Sequence, residues 1–225
     1  MEAIESIFGL LGRKLGMTQV FDKDTGQVSP ATVLEVGPCS VLSIRTREKE
    51  GYQALQLGFG KKRGKKVKKP QRLYYERIGL KEFPAFVREV AFGSAELAGK
   101  MKIGSTLGVE LFEGVEKVDV IGWSKGRGFA GTIKRHGFRR GPAAHGSKNV
   151  RQMGSTGCSA YPGRTVKGRK MPGHFGAHRV TVRNLKVVSL QKERNLLFVR
   201  GAVPGSSGGY VVVQKNIDFR NKWAL

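Results

Sequence analysis

A long stretch without any acidic residue most constrains what this chain can fold into. From Val120 to Lys192 the sequence has sixteen Lys and Arg and no Asp or Glu. Its central part, Gly122 to Arg179, also holds thirteen glycines and all four histidines of the chain. A segment so rich in Gly and charge cannot bury enough apolar surface to offset the entropy of ordering its backbone. We therefore expect it to be mobile alone and to become ordered against a polyanion.

The absence of carboxylates indicates phosphate as the partner group. Each Lys or Arg that meets a phosphate releases condensed counterions, whereas a carboxylate in the same surface would repel the partner. Glycine has no Cβ, so the main chain and its N–H donors can come close to the partner. The alternative is a solvated basic loop, but such loops usually mix both signs of charge and lack interleaved Gly, Pro and aromatic residues.

The rest of the chain has the composition of a folded protein. With 225 residues, of which 39% are hydrophobic, it suits one large domain or two small ones. The net charge of +24 indicates nucleic acid as the first choice of partner and an anionic membrane surface as the second. No apolar run has the length of a membrane span, and the start MEAIESIFGLLG resembles neither a secretory signal nor a transit peptide. We expect a cytoplasmic protein.

Short segments of strand character lie on both sides of the acid-free stretch. Two strands around the turn signal Asp22–Gly26 predict a β-hairpin, and Gly37-Pro38 then interrupts the chain. Further strands are predicted at 39–46, 52–57, 86–92, 180–190, 196–200 and 210–214, with two more within 104–122 around Glu113-Gly114. Weak helical patterns occur at 73–80 and 94–100. Short strands at close spacing favour an antiparallel barrel or sandwich.

Neither flank of the acid-free stretch has enough strands to close a sheet, so we expect both flanks to complete one core. The predicted fold is mainly β: an antiparallel β-barrel domain with a long irregular basic loop insertion and a few short helices. The predicted boundaries are 9–122 together with 179–215 for the discontinuous barrel domain, 123–178 for the insertion and 216–225 for a tail. The barrel domain would include a basic loop, 61–72, and a small helical part, 73–100.

Two motifs have spacings that also occur in nucleotide-binding and metal-binding proteins. GRGFAG satisfies G-x-G-x-x-G at Gly126, Gly128 and Gly131, but a dinucleotide site needs an acid about twenty residues on, and none occurs before Glu193. His174 and His178 are four residues apart, but MPGHFGAH contains one Pro and two Gly and no Glu. Imidazoles that face or stack on RNA are therefore favoured over metal ligands.

The two cysteines and the aromatic residues give no catalytic pattern. Cys39 and Cys158 match no CxxC spacing, which predicts reduced thiols rather than a disulfide or a zinc site. Cys158 and Ser159 lie among cations with no carboxylate to orient a base, so we predict no enzyme, no catalytic residue, no metal and no cofactor. Five aromatic residues could equally stack on bases or fill small local cores: Trp123, Phe129, Phe138, Tyr161 and Phe175.

Several segments and one residue spacing match those of a known protein family. The segments GRKLGMTQVF, PGRTVKGRKMPGHFG followed by RVTV, and ERNLLFVRGAVPG occur in the order found in that family, and the likeness spans roughly Leu11 to Gln214. Nine residues stand at the spacing of the family signature: Phe112, Asp119, Gly122, Ser124, Gly126, Arg127, Gly128, Gly131 and Arg135. In these features the chain resembles the L-three family of large-subunit ribosomal proteins, in its bacterial form.

This resemblance implies a β-barrel and a looped extension that penetrates ribosomal RNA towards the peptidyl transferase centre. It also implies early RNA binding, nucleation of subunit assembly and neighbouring large-subunit ribosomal proteins as partners. The implied tip of the extension is Gly157, Cys158, Ser159 and Ala160. Many bacterial members of the family carry a methylated Gln at the position of Cys158, so that modification should be absent here.

We therefore predict a non-catalytic constituent of the large ribosomal subunit that binds ribosomal RNA, with no membrane or small-molecule partner. A general chromatin-type binder and a nucleotide-using enzyme built on GRGFAG are the alternatives. Gly126, Gly128 and Gly131 should allow close backbone approach to RNA. The predicted RNA-binding residues are Lys61, Lys62, Arg63, Lys65, Lys66, Lys125, Arg127, Lys134, Arg135, Arg139, Arg140, Lys148, Arg151, Arg164, Lys167, Arg169, Lys170, His174 and Arg179.

Overall fold

The structure, a computed structural model, describes residues 7–21, 26–80, 82–93, 99 and 101–216. The chain forms two compact units: Met1–Trp123 with Arg179–Leu225, and Ser124–His178. We call residues 124–178 the insertion, and the other unit the barrel unit. The strands of the described residues are, in chain order, β1 (Gly9–Phe21), β2 (Val28–Val36), β3 (Cys39–Arg45), β4 (Ala54–Lys61), β5 (Pro84–Ala91), β6 (Thr106–Leu107), β7 (Lys117–Trp123), β8 (Gly128–Ala130), β9 (Gly173–Phe175), β10 (Arg179–Gln191), β11 (Leu196–Arg200) and β12 (Tyr210–Lys215).

Six strands form a closed antiparallel barrel in the order β1-β12-β7-β10-β11-β2, with β2 pairing back onto β1. The predicted fold class is therefore confirmed. β7, which precedes the insertion, lies between β12 and β10, which follow it. A closed barrel has no unpaired edge strand. Because β7 pairs on both sides with strands that follow the insertion, the barrel can close only with strands from both flanks of the insertion.

The first two strands form the predicted hairpin. β1 and β2 pair from Gly12↔Val36 to Phe21↔Val28, with a register shift between Lys14 and Gly16. Residues 22–25 of the predicted turn lie outside the described residues. Gly37 lies between β2 and β3 and has φ +79°, a backbone conformation that residues other than glycine rarely adopt.

A second antiparallel sheet, in the order β5-β4-β3-β6, belongs to the same unit. Its buried residues, such as Leu55 and Leu57, join barrel residues such as Leu10 and Leu34 in one hydrophobic cluster. Alternation along these strands explains why the sequence pattern located them. Burial of this shared cluster is the main source of stability for the unit.

The segment 104–122 contains one strand on each side of Glu113-Gly114, as predicted: β6, which has only two residues, and β7. Between them Val109–Phe112 forms a 3₁₀ turn that was not predicted. Val109 and Phe112 are both buried, and their i, i+3 spacing places them on one side of a 3₁₀ turn but on opposite faces of a strand. The strand predicted at 86–92 is present as β5, so the part 73–100 contains a strand after the helix at its start.

The predicted basic loop 61–72 and helix 73–80 need correction. A 3₁₀ turn covers Gly64–Lys66 and an α-helix covers Lys69–Arg77, so the helix begins within the basic run. Pro70 lies in its first turn, where the fixed φ of proline favours a helix start. Tyr75 is its only buried residue. The helix predicted at 94–100 falls on residues outside the described part of the chain, apart from Gly99, and the tail from 217 onward lies outside it entirely.

The insertion leaves and rejoins the barrel at neighbouring strands. Trp123 ends β7, Arg179 begins β10, and the two residues are direct partners in the antiparallel register. The long acid-free segment therefore interrupts a single strand-to-strand connection. No helix among the described residues is long and apolar enough to cross a membrane.

Candidate nucleic-acid interface

The ends of the insertion are folded against each other. β8 and β9 pair as a two-stranded antiparallel ribbon in which Phe129 faces His174 in register. Outside the ribbon, the Ser124 amide donates to the His178 carbonyl at 2.9 Å. A short helix, Thr132–His136, follows β8 and ends at Gly137. These ends, residues 124–136 and 171–178, form the root of the insertion.

Gly176 allows the two segments of the root to approach each other closely. Its φ is +76°, and a Cβ built there would lie 2.2 Å from the Lys125 carbonyl oxygen. Only glycine tolerates both the conformation and the approach. Next to it, the Arg127 amide donates to the Phe175 carbonyl at 2.9 Å, and the Arg127 guanidinium lies 5.1 Å from the Phe175 ring centroid.

The Met171 carbonyl joins the short helix to the chain that returns from the tip. Arg135 Nη1 donates to this oxygen at 2.6 Å, and His136 Nε2 lies 3.0 Å from it. Arg135 is half-buried, so its guanidinium stabilises the root in addition to supplying charge. A charged donor to a carbonyl is a strong hydrogen bond, and the root thereby gains structure without an apolar core.

The predicted RNA-binding side chains are almost all exposed. Within the insertion this holds for every Lys and Arg except Arg135, and for His174. The exposed cations of the insertion are Lys125, Arg127, Lys134, Arg139, Arg140, Lys148, Arg151, Arg164, Lys167, Arg169 and Lys170. The insertion contains no carboxylate, so none of them has a partner of opposite charge within it.

The tip of the insertion has a local structure of its own. The four predicted tip residues, 157–160, are exposed. Ser155 Oγ donates to the Gly157 carbonyl at 3.1 Å, and Arg169 donates to the Ser155 carbonyl. Arg169 therefore connects the outgoing and returning chains near the tip, a role that the sequence did not indicate.

The basic run of the barrel unit presents most of its charge to solvent. Lys61 forms an ion pair with Glu82 at 2.6 Å, which reduces its value as a phosphate contact. Arg63, Lys65 and Lys66 are exposed and Lys62 is half-buried. Arg179, the first residue of β10, is exposed as well. The predicted cations thus fall in two groups, one in each unit.

The three glycines of GRGFAG differ in whether the backbone conformation or the surrounding atoms require glycine. Gly128 has φ +64°, whereas Gly131 has no atom within 4 Å of a built Cβ and Gly126 only Ala177 Cβ at 4.0 Å. β8 is three residues long and pairs only with β9, in antiparallel fashion. A dinucleotide fold needs a parallel sheet behind this motif, so that alternative does not fit.

The five aromatic residues divide into exposed and half-buried groups. Phe129 is 80% and Tyr161 88% exposed, and Trp123 is 40% exposed. Phe138 and Phe175 are half-buried beside His136 and Arg127. The first three can offer a ring face to a partner, whereas the last two stabilise the root.

The described residues contain no group of three or more His, Cys, Asp or Glu side chains that could hold a metal ion. His174 and His178 have ring centroids 6.1 Å apart in an edge-on arrangement.

Cys39 is buried, Cys158 is exposed, and both are free thiols. Burial raises the pKa of the Cys39 thiol to about 12, which keeps it protonated and unreactive.

One cation beside Trp123 was not predicted from the sequence. Arg88 on β5 lies 5.5 Å from the Trp123 ring centroid and 4.8 Å from that of Phe86. The sequence signal, a single Arg in an alternating strand, does not distinguish this position from any solvated arginine. Only the packing of the second sheet beside the end of β7 brings the three groups together.

Fold and charge together define a class of protein: a basic β-barrel protein whose one long insertion presents cations and no acid. Similarity to known proteins then shows the family of the chain. A model of the family described as ribosomal protein L3 matches residues 86–197. The large ribosomal subunit protein uL3 of Syntrophobacter fumaroxidans is 47% identical over 209 residues, covering 93% of this chain and 97% of that protein.

Other relatives agree. The uL3 protein of Pelotomaculum thermopropionicum is 49% identical over 207 residues, or 92% of this chain and 96% of that protein. That of Desulforapulum autotrophicum is 44% identical, over 93% of this chain and 99% of that protein. The chain therefore belongs to the ribosomal protein L3 family, and the resemblance seen in the sequence is confirmed. This is a family of structural proteins, not of enzymes.

Proposed function

We propose that this protein is a constituent of the large ribosomal subunit and holds ribosomal RNA through its insertion. One observation carries the proposal. The insertion contains twelve Lys and Arg and no acid, and all but one of these cations are exposed. So many like charges repel one another until phosphates neutralise them, so the insertion is stabilised by a polyanion that follows it closely.

The insertion suits the shape of folded RNA better than a base sequence. Its exposed polar groups are mainly guanidinium and ammonium groups, which position a protein on sugar and phosphate, and it has few amide side chains for base edges. The ordered root fixes where the two chains enter the RNA. The exposed residues 157–160 would then lie deepest, in the direction of the peptidyl transferase centre.

An early role in assembly follows from the same geometry. A long loop without an apolar core can be surrounded by RNA as the RNA folds, but it cannot easily enter a finished, compact RNA. The protein would therefore bind before the surrounding RNA closes and would nucleate that folding. Neighbouring large-subunit proteins are the expected protein partners of the barrel unit, and the ribosome in the cytoplasm is the expected location.

Sedimentation at high salt tests whether the protein is built into the subunit. A surface binder that contacts about eight phosphates loses several decades of affinity over a fourfold rise in salt. We expect co-migration with large subunits at one-to-one stoichiometry in a high-salt sucrose gradient, followed by mass spectrometry. Release at moderate salt, or spreading over DNA-containing fractions, would support a general nucleic-acid binder instead.

A deletion variant tests the role of the insertion. Trp123 and Arg179 are direct cross-strand partners, so a two-residue Asn-Gly turn can replace residues 124–178 as a hairpin connection. We expect this variant to keep the circular dichroism of a β-protein and to lose most of its affinity for large-subunit RNA. The matched control replaces Arg139 and Arg140 by Gln in the full chain, which should reduce the slope of log affinity against log salt by about 2. Undiminished RNA binding by the deletion variant would contradict the proposal.

A further inference from the structure

Trp123 is an exposed tryptophan at the edge of the barrel. It is the last residue of β7 and remains 40% exposed. The preceding strand residues Val120, Ile121 and Gly122 are all buried. The exposed part of the indole is therefore available for contact with a partner.

The indole packs against the Arg88 guanidinium. Arg88 Cζ lies over the Trp123 ring, 5.5 Å from its centroid, and over the Phe86 ring, 4.8 Å from its centroid. The Phe86 ring also stacks on Tyr210, with centroids 4.9 Å apart and planes 4° from parallel. Arg88 Nη1 donates to the Val87 carbonyl at 2.8 Å. These contacts restrict the indole before any ligand arrives, which reduces the entropy lost on binding.

The charge around Trp123 is positive. Arg179 is its direct partner across the β7–β10 ladder, so the two side chains lie on the same face of the sheet, and Arg179 is exposed. The nearest acid of β5, Glu89, follows Arg88 and therefore points to the opposite face. There its carboxylate accepts from the Tyr52 hydroxyl at 2.8 Å and lies 3.5 Å from Arg45.

We propose that Trp123 is a stacking site for one unpaired RNA base, with Arg179 taking the adjacent phosphate. This inference rests on the proposed function, because the protein must already be on RNA. A ring with one face on a guanidinium and with exposed surface left over is suited to stacking, and every base has a π-face to offer. A base inside a duplex cannot offer that face, so the site selects a flipped-out or loop nucleotide.

The site would fix the RNA at the point where the insertion leaves the barrel unit. Trp123 and Arg179 are the two residues that border the insertion on the barrel. Phosphate contacts along the insertion carry no sequence information, because every nucleotide presents the same phosphate. A base stacked at its border would therefore define how far along the RNA the insertion begins.

Fluorescence of Trp123 in the full chain tests the proposal. The chain has two tryptophans, so Trp223→Phe leaves Trp123 as the sole indole. The probes are hexa-adenylate and an abasic hexamer with the same phosphates, each end-labelled so that anisotropy reports binding. We expect both probes to bind, but only hexa-adenylate to quench Trp123. Trp123→Leu should weaken hexa-adenylate binding by roughly tenfold, as for loss of one stacked base, and leave the abasic probe unchanged.

Control variants separate stacking from fold and charge. Tyr52→Leu removes another exposed aromatic of the same unit, one that is hydrogen-bonded to a carboxylate, and should not change either affinity. Trp123→Phe keeps a ring and should retain most of the hexa-adenylate affinity even if the Leu variant folds poorly. Hexa-adenylate that binds without quenching, or equal quenching by the abasic probe, would overturn the stacking site and leave RNA binding intact. Failure of both probes to bind would overturn the proposed function and the site together.

Discussion

The barrel unit and the insertion solve the problem of folding in opposite ways. In the barrel unit one cluster of buried Leu, Val and Phe side chains spans two sheets, and surface charges such as Arg13 and Glu35 form ion pairs. Among residues 124–178 only Ala130, Thr132 and Gly176 are buried. The first unit obtains its stability from its own interior, whereas the second has short-range hydrogen bonds and, under the proposed function, a partner that neutralises its charge. A single chain can thus carry a stable platform and a partner-dependent loop.

The two cysteines should show the largest difference between the units. Cys39 is fully buried and its Sγ donates to the Leu11 carbonyl at 3.3 Å, whereas Cys158 is exposed. We expect Ellman's reagent to modify Cys158 at once and Cys39 at least about a thousandfold more slowly, because Cys39 reacts only after the core opens. Absorbance should count one thiol in buffer and two in guanidinium. Cys158→Ser should abolish the fast phase, and two fast thiols in the native protein would contradict the assignment of Cys39 to the core.

Core truncation should be the next largest effect. Leu34 is fully buried between β1 and β11, so Leu34→Ala should lower the free energy of unfolding by about 2–5 kcal/mol. Val166→Ala, at an exposed position of the insertion, is the control and should change it by less than about 0.5 kcal/mol. Urea denaturation monitored by circular dichroism measures both. Equal effects would mean that the insertion shares the core.

The buried thiol also predicts an alkaline loss of stability. The pKa of Cys39 is raised from 9.0 to about 12 by burial, so between these values the unfolded chain releases a proton that the folded chain keeps. The free energy of unfolding should therefore be unaffected below pH 9 and fall as the pH rises from 9 towards 12, by up to about 1.4 kcal/mol per pH unit. In Cys39→Ala this contribution should vanish. An unchanged pH slope in that variant would assign the alkaline loss to other groups.

Lys14 tests a polar contact inside the barrel unit. Its ammonium group is buried and donates to the carbonyl oxygens of Val203 at 2.8 Å and Gly205 at 3.3 Å. Lys14→Met should destabilise the protein by about 1–3 kcal/mol, because these acceptors lose a charged donor. Lys186→Met, at an exposed position of β10, is the matched control. Thermal unfolding compares the two, and an equal shift in Tm would rule out a special role for Lys14.

The smallest effect on global stability, but a local one in the insertion, is expected for Gly176→Ala. The positive φ alone disfavours alanine by about 1–2 kcal/mol, and the Cβ would meet the Lys125 carbonyl. Amide exchange in β8 and β9 should accelerate while the Tm of the barrel unit stays within about a degree. Gly131→Ala is the control, since nothing lies within 4 Å of its Cβ. A large fall in Tm for Gly176→Ala would show that the root and the barrel unfold together.

The sequence predicted those parts of the molecule that depend on local pattern. Alternating residues located β4 and β5, and the turn signal Asp22–Gly26 located the hairpin of β1 and β2. The same reasoning misplaced the helix that begins at Lys69, because a run of Lys looks alike in a loop and on a helix surface.

The sequence did not predict the roles of side chains that contact residues far away in the chain. Arg135 and Arg169 look like any other cation of the insertion, yet each donates to a carbonyl across the insertion. Arg88 gains its position only when β5 comes to lie beside the end of β7. Such contacts join residues far apart in sequence, and no local periodicity encodes them.

The strand order of the barrel has a consequence for synthesis on the ribosome. β12, the last strand of the barrel, pairs with β1, the first, and with β7. The barrel therefore cannot close until almost the whole chain has been translated. Translation adds roughly 5–20 residues per second, so several seconds pass between synthesis of the insertion and completion of the barrel. During that interval the nascent chain exposes cations that can bind nucleic acid non-specifically and unpaired strand edges that can aggregate. Prompt delivery to nascent ribosomal RNA would shorten that exposure.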